Sequence, residues 1–244
     1  MTDRPDFPYY AGRPVLLSGR AWLILMASLA LGFAALTLLP LPDFPLNLIP
    51  ALVFLGLPLL ALRLVSGAHW TALFRPVGLR QIGLMLLFGL LTFAGSMAMA
   101  LILSPVISFS ENPVSLSVGA MTAPELVARL LPTIPQLVGE ELLGILPFLA
   151  VLWLWVTVLG LSRRAGIALA LILSALIFGA AHLPTYDWHW GQALIGIGSA
   201  RIMLTLAYVA TRNLWVSAGA HILNDWSGFL LVFAFGDAPI TPEG

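Results

Sequence analysis

The sequence predicts an all-α fold, a polytopic transmembrane helical bundle of about seven spans with a kinked fourth span. Three observations carry this reading. Of 244 residues, 60% are hydrophobic and only 9% are charged, against roughly a quarter charged in an ordinary soluble domain. The mean hydropathy is +1.00. The apolar residues also gather into uncharged runs of about 20, the length that crosses a bilayer core. This composition excludes a water-soluble globule and a disordered chain, and the lack of cysteine excludes a disulfide scaffold. Basic and acidic residues number 11 each. No basic stretch marks a nucleic-acid footprint, so no nucleic-acid partner is expected.

The runs lie at about 21–39, 46–64, 82–104, 125–160, 165–183, 191–211 and 213–235. The first has no small-residue cleavage site after it and is too long for a signal h-region, which makes it a retained anchor. The fourth is too long for one simple span. Pro132 and Pro135 precede its polar centre and Pro147 follows it; each removes a backbone donor, so this span is expected to be broken or strongly bent. Between spans two and three, Ser66–Arg80 holds His69, Trp70, Phe74 and Arg75, which suits an interfacial segment. Trp188 and Trp190 suit the aromatic belt at the opposite face. With no sequence repeat visible, the chain reads as one membrane domain in three parts. These are N-terminal spans with the interfacial segment (1–124), a core (125–235) and a C-terminal tail (236–244).

Every basic residue is Arg. Arg13 and Arg20 precede span one, Arg63, Arg75 and Arg80 join spans two and three, Arg163 and Arg164 follow span four, and Arg212 joins spans six and seven. The alternate loops carry Asp43, Glu111, Asp187 and Asp237. By the positive-inside rule this predicts a cytoplasmic N-terminus and, with seven spans, an external C-terminus. A bacterial cytoplasmic (inner) membrane is the expected location.

Six ionisable residues stand out as functional candidates within the spans: Glu140 and Glu141 in span four, His182 ending span five, Arg201 in span six, and His221 with Asp225 in span seven. Left uncompensated they would cost on the order of 15 kcal/mol, so they are expected to face the bundle interior and one another. Helical spacing sets Phe178 over His182, and aligns Ser217, His221, Asp225 and Gly228 as one polar, small-residue stripe bordered by Asn224. Phe229, Val232 and Phe233 would then point towards lipid. Glu140 lies over Gly144, and Pro147 frees the Leu143 carbonyl, which predicts a wet, open patch beside the carboxylate. Gly196, Gly198 and Ala200 would let span six approach its neighbours closely. His69, Asp187 and His189 fall in loops and are expected to be solvated or interfacial.

The order Glu140-Glu141, then Phe178-Gly-Ala-Ala-His182, then His221-Ile-Leu-Asn-Asp225 resembles the CPBP family, also called the Abi or type II CAAX-processing endopeptidase family. The run Thr211-Arg-Asn-Leu-Trp215 is also typical of it, and the resemblance covers roughly residues 125–235. It implies an intramembrane endopeptidase that hydrolyses a peptide bond of a membrane-associated peptide or protein substrate at the lipid bilayer. By the resemblance Glu140 is the general base for water, assisted by His182, while His221 and Asp225 stabilise the oxyanion; Glu141, Phe178, Arg201 and Asn224 support them. An ionised Asp225 cannot donate a hydrogen bond. It is therefore protonated, or orients His221, or leaves the donation to Asn224. The family's first motif usually continues to an Arg at the position of Ile145. Arg201 is the candidate replacement from span six. Without one, the chain would be an inactive member serving as a scaffold or a subunit of a membrane protein complex.

No cofactor is expected to be required. A divalent metal is the alternative, with Glu140, His182 and His221 as its ligands, although no His-Glu-x-x-His spacing is present. Two further readings are a proton-coupled transporter, which uses similar buried groups but often shows an inverted repeat, and haem ligation by His182 and His221.

Overall fold

The computed structural model describes residues 6–110 and 112–235; Glu111 and the tail 236–244 with Asp237 lie outside them. The protein is 77% helix, with no strand among the described residues. The helices are α1 (Gly19–Leu38), α2 (Leu48–Ser66), α3 (Leu79–Leu103), α4 (Pro113–Val118), α5 (Ala123–Leu130), α6 (Thr133–Leu152), α7 (Arg163–Ala181), α8 (Gly198–Thr211) and α9 (Leu214–Phe235). Six helical stretches are long and apolar enough to cross a membrane. The seventh long helix, α9, has the length but falls outside those six, since it carries His221, Asn224 and Asp225 in its middle.

The predicted break in span four is present, at Pro132. The chain forms α5, turns at 131–132 and restarts as α6 with Pro132 as its N-cap. Pro135 sits in the first turn of α6, where a helix has no partner for the missing N–H. A π-helical turn, Trp153–Val158, ends the helix. α5 is locally encoded: the Glu125 carboxylate accepts the Thr122 backbone N–H at 2.7 Å, closing a capping box. Because α5 precedes the span, Arg129 sits at the end of the bundle opposite Arg13, Arg20, Arg63, Arg75, Arg80, Arg163, Arg164 and Arg212. The alternation of Arg read from the sequence therefore has this one exception among the described residues.

α1 packs on α2, α2 on α6, α6 on α7 and α9, and α3 on α8 and α9. One apolar core runs from Phe7 to Ala218, so the N-terminal spans and the 125–235 segment share it. The segment before α1 is part of that core. Phe7 meets Phe148 edge-on and stacks on Tyr208, at centroid distances of 5.6 and 6.1 Å, and the guanidinium of Arg163 lies 5.2 Å above its ring. Asp6 accepts from Arg163 Nη2 at 2.6 Å, and the Tyr9 hydroxyl donates to the His69 carbonyl at 2.7 Å. Burial would raise the Asp6 carboxyl, but hydrogen bonds from Arg163, Tyr10 and the Phe7 amide hold it below its ordinary range. This arm closes the Arg-rich end.

The interfacial segment contains a 3₁₀ helix, Gly67–Leu73, and Phe74 packs on Trp215 at 5.1 Å. Asn213 joins the two: its side chain accepts from the Arg75 and Trp215 backbone N–H groups and donates to the Arg75 carbonyl. Trp188 and Trp190 are exposed, as a belt requires. His189 is half-buried, and its Nδ1 donates to the Tyr186 carbonyl at 2.8 Å and meets Ser110 at 3.0 Å.

Two packing expectations are corrected. Phe229 is buried with Val118, Leu126 and Leu130, and Val232 and Phe233 pack partly against that cluster. The α4–α5 segment covers a face that periodicity alone assigned to lipid. Close approach also occurs away from span six's glycines: Gly196 faces open space, and a Cβ at Gly198 would be 3.7 Å from its nearest neighbour. The tight place is Gly179 on α7, where an added Cβ would lie 2.5 Å from the Ala193 carbonyl oxygen. Backbone cannot yield as a flexible side chain does. Gly179→Ala is therefore expected to destabilise by about 1–3 kcal/mol, read as a lowered Tm of the purified protein.

Candidate active site

α6, α7, α8 and α9 each send a polar side chain to one point. Glu141 and Arg201 are wholly buried. They form a bidentate pair, Nη1 to Oε1 at 2.7 Å and Nη2 to Oε2 at 2.9 Å. Arg201 Nε donates to Thr205 at 3.1 Å, and Phe178 lies 5.1 Å beneath the guanidinium. Arg201 thus has a carboxylate, a hydroxyl and an aromatic face, the set that makes a desolvated Arg tolerable.

Glu141 Oε1 also accepts from His221 Nδ1 at 2.9 Å. That bond fixes the imidazole and turns its Nε2 towards Glu140 Oε2 at 3.8 Å and Asp225 Oδ1 at 3.7 Å. On the other side, His182 Nδ1 lies 2.8 Å from the Phe178 carbonyl. A carbonyl only accepts, so Nδ1 carries a proton, and Nε2 of the neutral ring presents a lone pair. This Nε2 is 3.9 Å from Glu140 Oε2. Phe178 stacks on His182 at 4.5 Å and meets His221 edge-on at 6.2 Å, holding both rings. Glu140 therefore stands between two imidazoles, and each gap is too long for a direct hydrogen bond and suited to a bridging water.

Glu140 Oε1 is held from its own helix by Gln136 Nε2 at 3.0 Å. Sequence reading missed Gln136, although its position four residues before Glu140 was the available signal. Asn224 donates to Asp225 Oδ1 at 2.8 Å, so its amide hydrogens are turned towards that carboxylate. The stripe of His221, Asp225 and Gly228 lines one cavity of about 860 Å³ together with Glu140, His182 and Arg201. Ser217 is buried and returns its hydroxyl to the Leu214 carbonyl. The cavity wall includes Leu39–Pro42, Asn112, Thr185 and Tyr186, all from the Arg-poor end, and it reaches down to Leu204.

The wet patch predicted beside Gly144 is corrected: residues 142–149 are buried, and the place is taken by Arg201. A Cβ at Gly144 would sit 2.8 Å from its Cζ, so glycine here makes room for the ion pair. Gly144→Ala is expected to displace the guanidinium from Glu141 and cost about 1–3 kcal/mol, visible as a lower unfolding temperature and less protein recovered from membranes.

Glu140, His182 and His221 are the residues that would hold a divalent ion. Among the described residues, however, no group of three or more His, Asp or Glu has an arrangement suited to one.

These features define an integral membrane protein with a buried polar site, in which two carboxylates and two imidazoles are drawn together from three helices. Residues 122–227 match the family model described as Rce1-like: Type II CAAX prenyl endopeptidase Rce1-like. The match covers somewhat under half of the chain, from the N-cap of α5 into α9, and includes every candidate residue above. Over that segment the resemblance carried by the three motifs is shown, and at family level it supports a CAAX-type intramembrane protease. No curated protein and no solved structure matches the chain.

Proposed function

We propose that the protein is an intramembrane endopeptidase in which Glu140 activates a water for attack on a peptide carbonyl. The observation that carries this is the placing of Glu140 Oε2 between His182 Nε2 and His221 Nε2, at 3.9 and 3.8 Å, inside a cavity of about 860 Å³. A water donating one hydrogen to Glu140 and the other to the lone pair of His182 has its own lone pair free for the carbonyl carbon. The water's proton passes to Glu140, the carbonyl oxygen becomes the oxyanion, and the tetrahedral carbon then expels the amine, which takes the proton from Glu140. His221, held by Glu141, supplies the oxyanion donor in its imidazolium form. Asp225 accepts from Asn224, which favours its role as an orienting carboxylate near His221. The step needs no metal, since Glu140 supplies the base.

Arg201 takes the place of the cation that the family carries at the position of Ile145. Its bidentate bond to Glu141 supports an active rather than a scaffolding member. The protein sits in a bacterial cytoplasmic membrane with its N-terminus in the cytoplasm, a reading supported by the eight Arg residues gathered at that end. The test compares protein termini in membranes of cells carrying the wild-type chain or Glu140→Gln at matched expression. A defined set of termini lost in the variant is the expected result. Identical termini, with a deletion phenotype rescued by Glu140→Gln, would sink the reading.

A further inference from the structure

We infer that Arg129 is a specificity residue of this cavity and binds a carboxylate of the substrate near the cleaved bond; this rests on the peptidase reading above. Arg129 lines the same cavity as Glu140, His182 and His221. It is half-buried, and among the described residues it makes no hydrogen bond or ion pair. The other cation in the wall, Arg201, is occupied by Glu141. A guanidinium is permanently charged and offers five donors, no acceptor, and a fork that matches a carboxylate. Arg129 also stands at the bundle end that otherwise lacks Arg. A basic residue in the last turn of α5 relieves the helix's carbonyl end, but that role is served equally by a side chain facing away from the cavity.

The distance limits where the carboxylate falls. Arg129 and Glu140 are eleven positions apart, so their Cα atoms lie at most about 16 Å apart at the helical rise of 1.5 Å per residue. An extended peptide advances about 3.3–3.6 Å per residue. The backbone separation therefore corresponds to roughly five residues of extended substrate between the bound carboxylate and the cleaved bond. It is either the substrate's own C-terminus or an Asp or Glu side chain; the chemistry recognised is the same.

The experiment uses full-length protein in membranes, comparing termini for wild type, Glu140→Gln, Arg129→Gln and Arg129→Lys. Cleavage sites that depend on Glu140 are expected to carry a carboxylate within five residues. Arg129→Gln should reduce their yield at least about tenfold, with Arg129→Lys retaining part of it, since the charge survives without the fork. Synthetic peptides spanning the strongest site then separate the sources: a C-terminal amide abolishes the Arg129 effect if the terminus is bound, and Glu→Gln or Asp→Asn does so if a side chain is. Unchanged yields in Arg129→Gln while Glu140→Gln loses its sites would overturn the inference and leave the peptidase reading standing. Loss of protein from the membrane without any change in site choice would make Arg129 a lipid-phosphate anchor and also overturn it. If Glu140→Gln changes no termini, both fall together.

Discussion

Glu140→Gln is expected to lower peptide hydrolysis by roughly 10²–10⁴-fold, the range a positioned general base contributes, while the thermal unfolding profile stays close to that of wild type. The separation of the two effects follows from the geometry. Glu140 is fixed by Gln136 through Oε1, and a glutamine can still accept that hydrogen bond at its own oxygen. Its other oxygen touches no protein donor closely: both imidazole nitrogens stand nearly 4 Å away. Replacing this atom with an amide nitrogen thus removes a proton acceptor and little packing. Hydrolysis assayed beside calorimetry of the same preparation checks it. Equal loss of activity and of stability would show that Glu140 is structural.

The second large effect concerns the Arg201–Glu141 pair. Removing one partner of a buried ion pair leaves an uncompensated charge in a low-dielectric interior, at a cost of about 3–5 kcal/mol. Arg201→Ala is therefore expected to fail to accumulate, or to unfold far below wild type. Arg201→Lys should fall between, because an ammonium keeps the charge and loses the fork. The double variant Arg201→Met, Glu141→Leu separates stability from function. Two apolar residues of similar volume can replace a buried pair at little cost or even with a gain, so the fold should recover. Hydrolysis should not, since His221 Nδ1 has lost its acceptor. Recovery of both stability and hydrolysis in the double variant would show that Glu141 does not position His221. An Arg201→Ala protein with wild-type stability and rate would show that the pair matters to neither.

Much of the architecture was legible because a bilayer imposes length and polarity on every span. The break at Pro132, the approach of Phe178 to His182, and the gathering of Glu140, Glu141, His182 and His221 follow from proline chemistry, spacing and the cost of a lone charge in lipid. The same cost pointed to Arg201 as the counter-ion, since no other Arg lies so deep. What escaped lacks either a period or a penalty. Phe7, Tyr9 and Tyr10 sit among prolines and polar residues with no helical repeat, so their burial is set by tertiary packing alone. Phe229 follows a good lipid-facing pattern and is covered by a short segment whose docking no local signal announces. Arg129 was hidden by its run: read as part of a single span, it had no assigned end, and only the break at Pro132 places it at the cavity.

The aromatic arm at the Arg-rich end has an electrical consequence. A polar recess that reaches the mid-depth of the spans is half of an ion-conducting path, and a cell can ill afford the other half. Below Glu141 the chain stacks Leu142, Ile145, Leu146, Phe148 and Leu149, all without solvent exposure, and the Phe7–Tyr208 layer seals what remains. The membrane potential then drops across this dry half alone, where each elementary charge moved through 100 mV is worth about 2.3 kcal/mol. Glu140 and the histidines stay near the potential of the compartment they open to. Protons can be exchanged with the reacting water without leaking from one side of the membrane to the other.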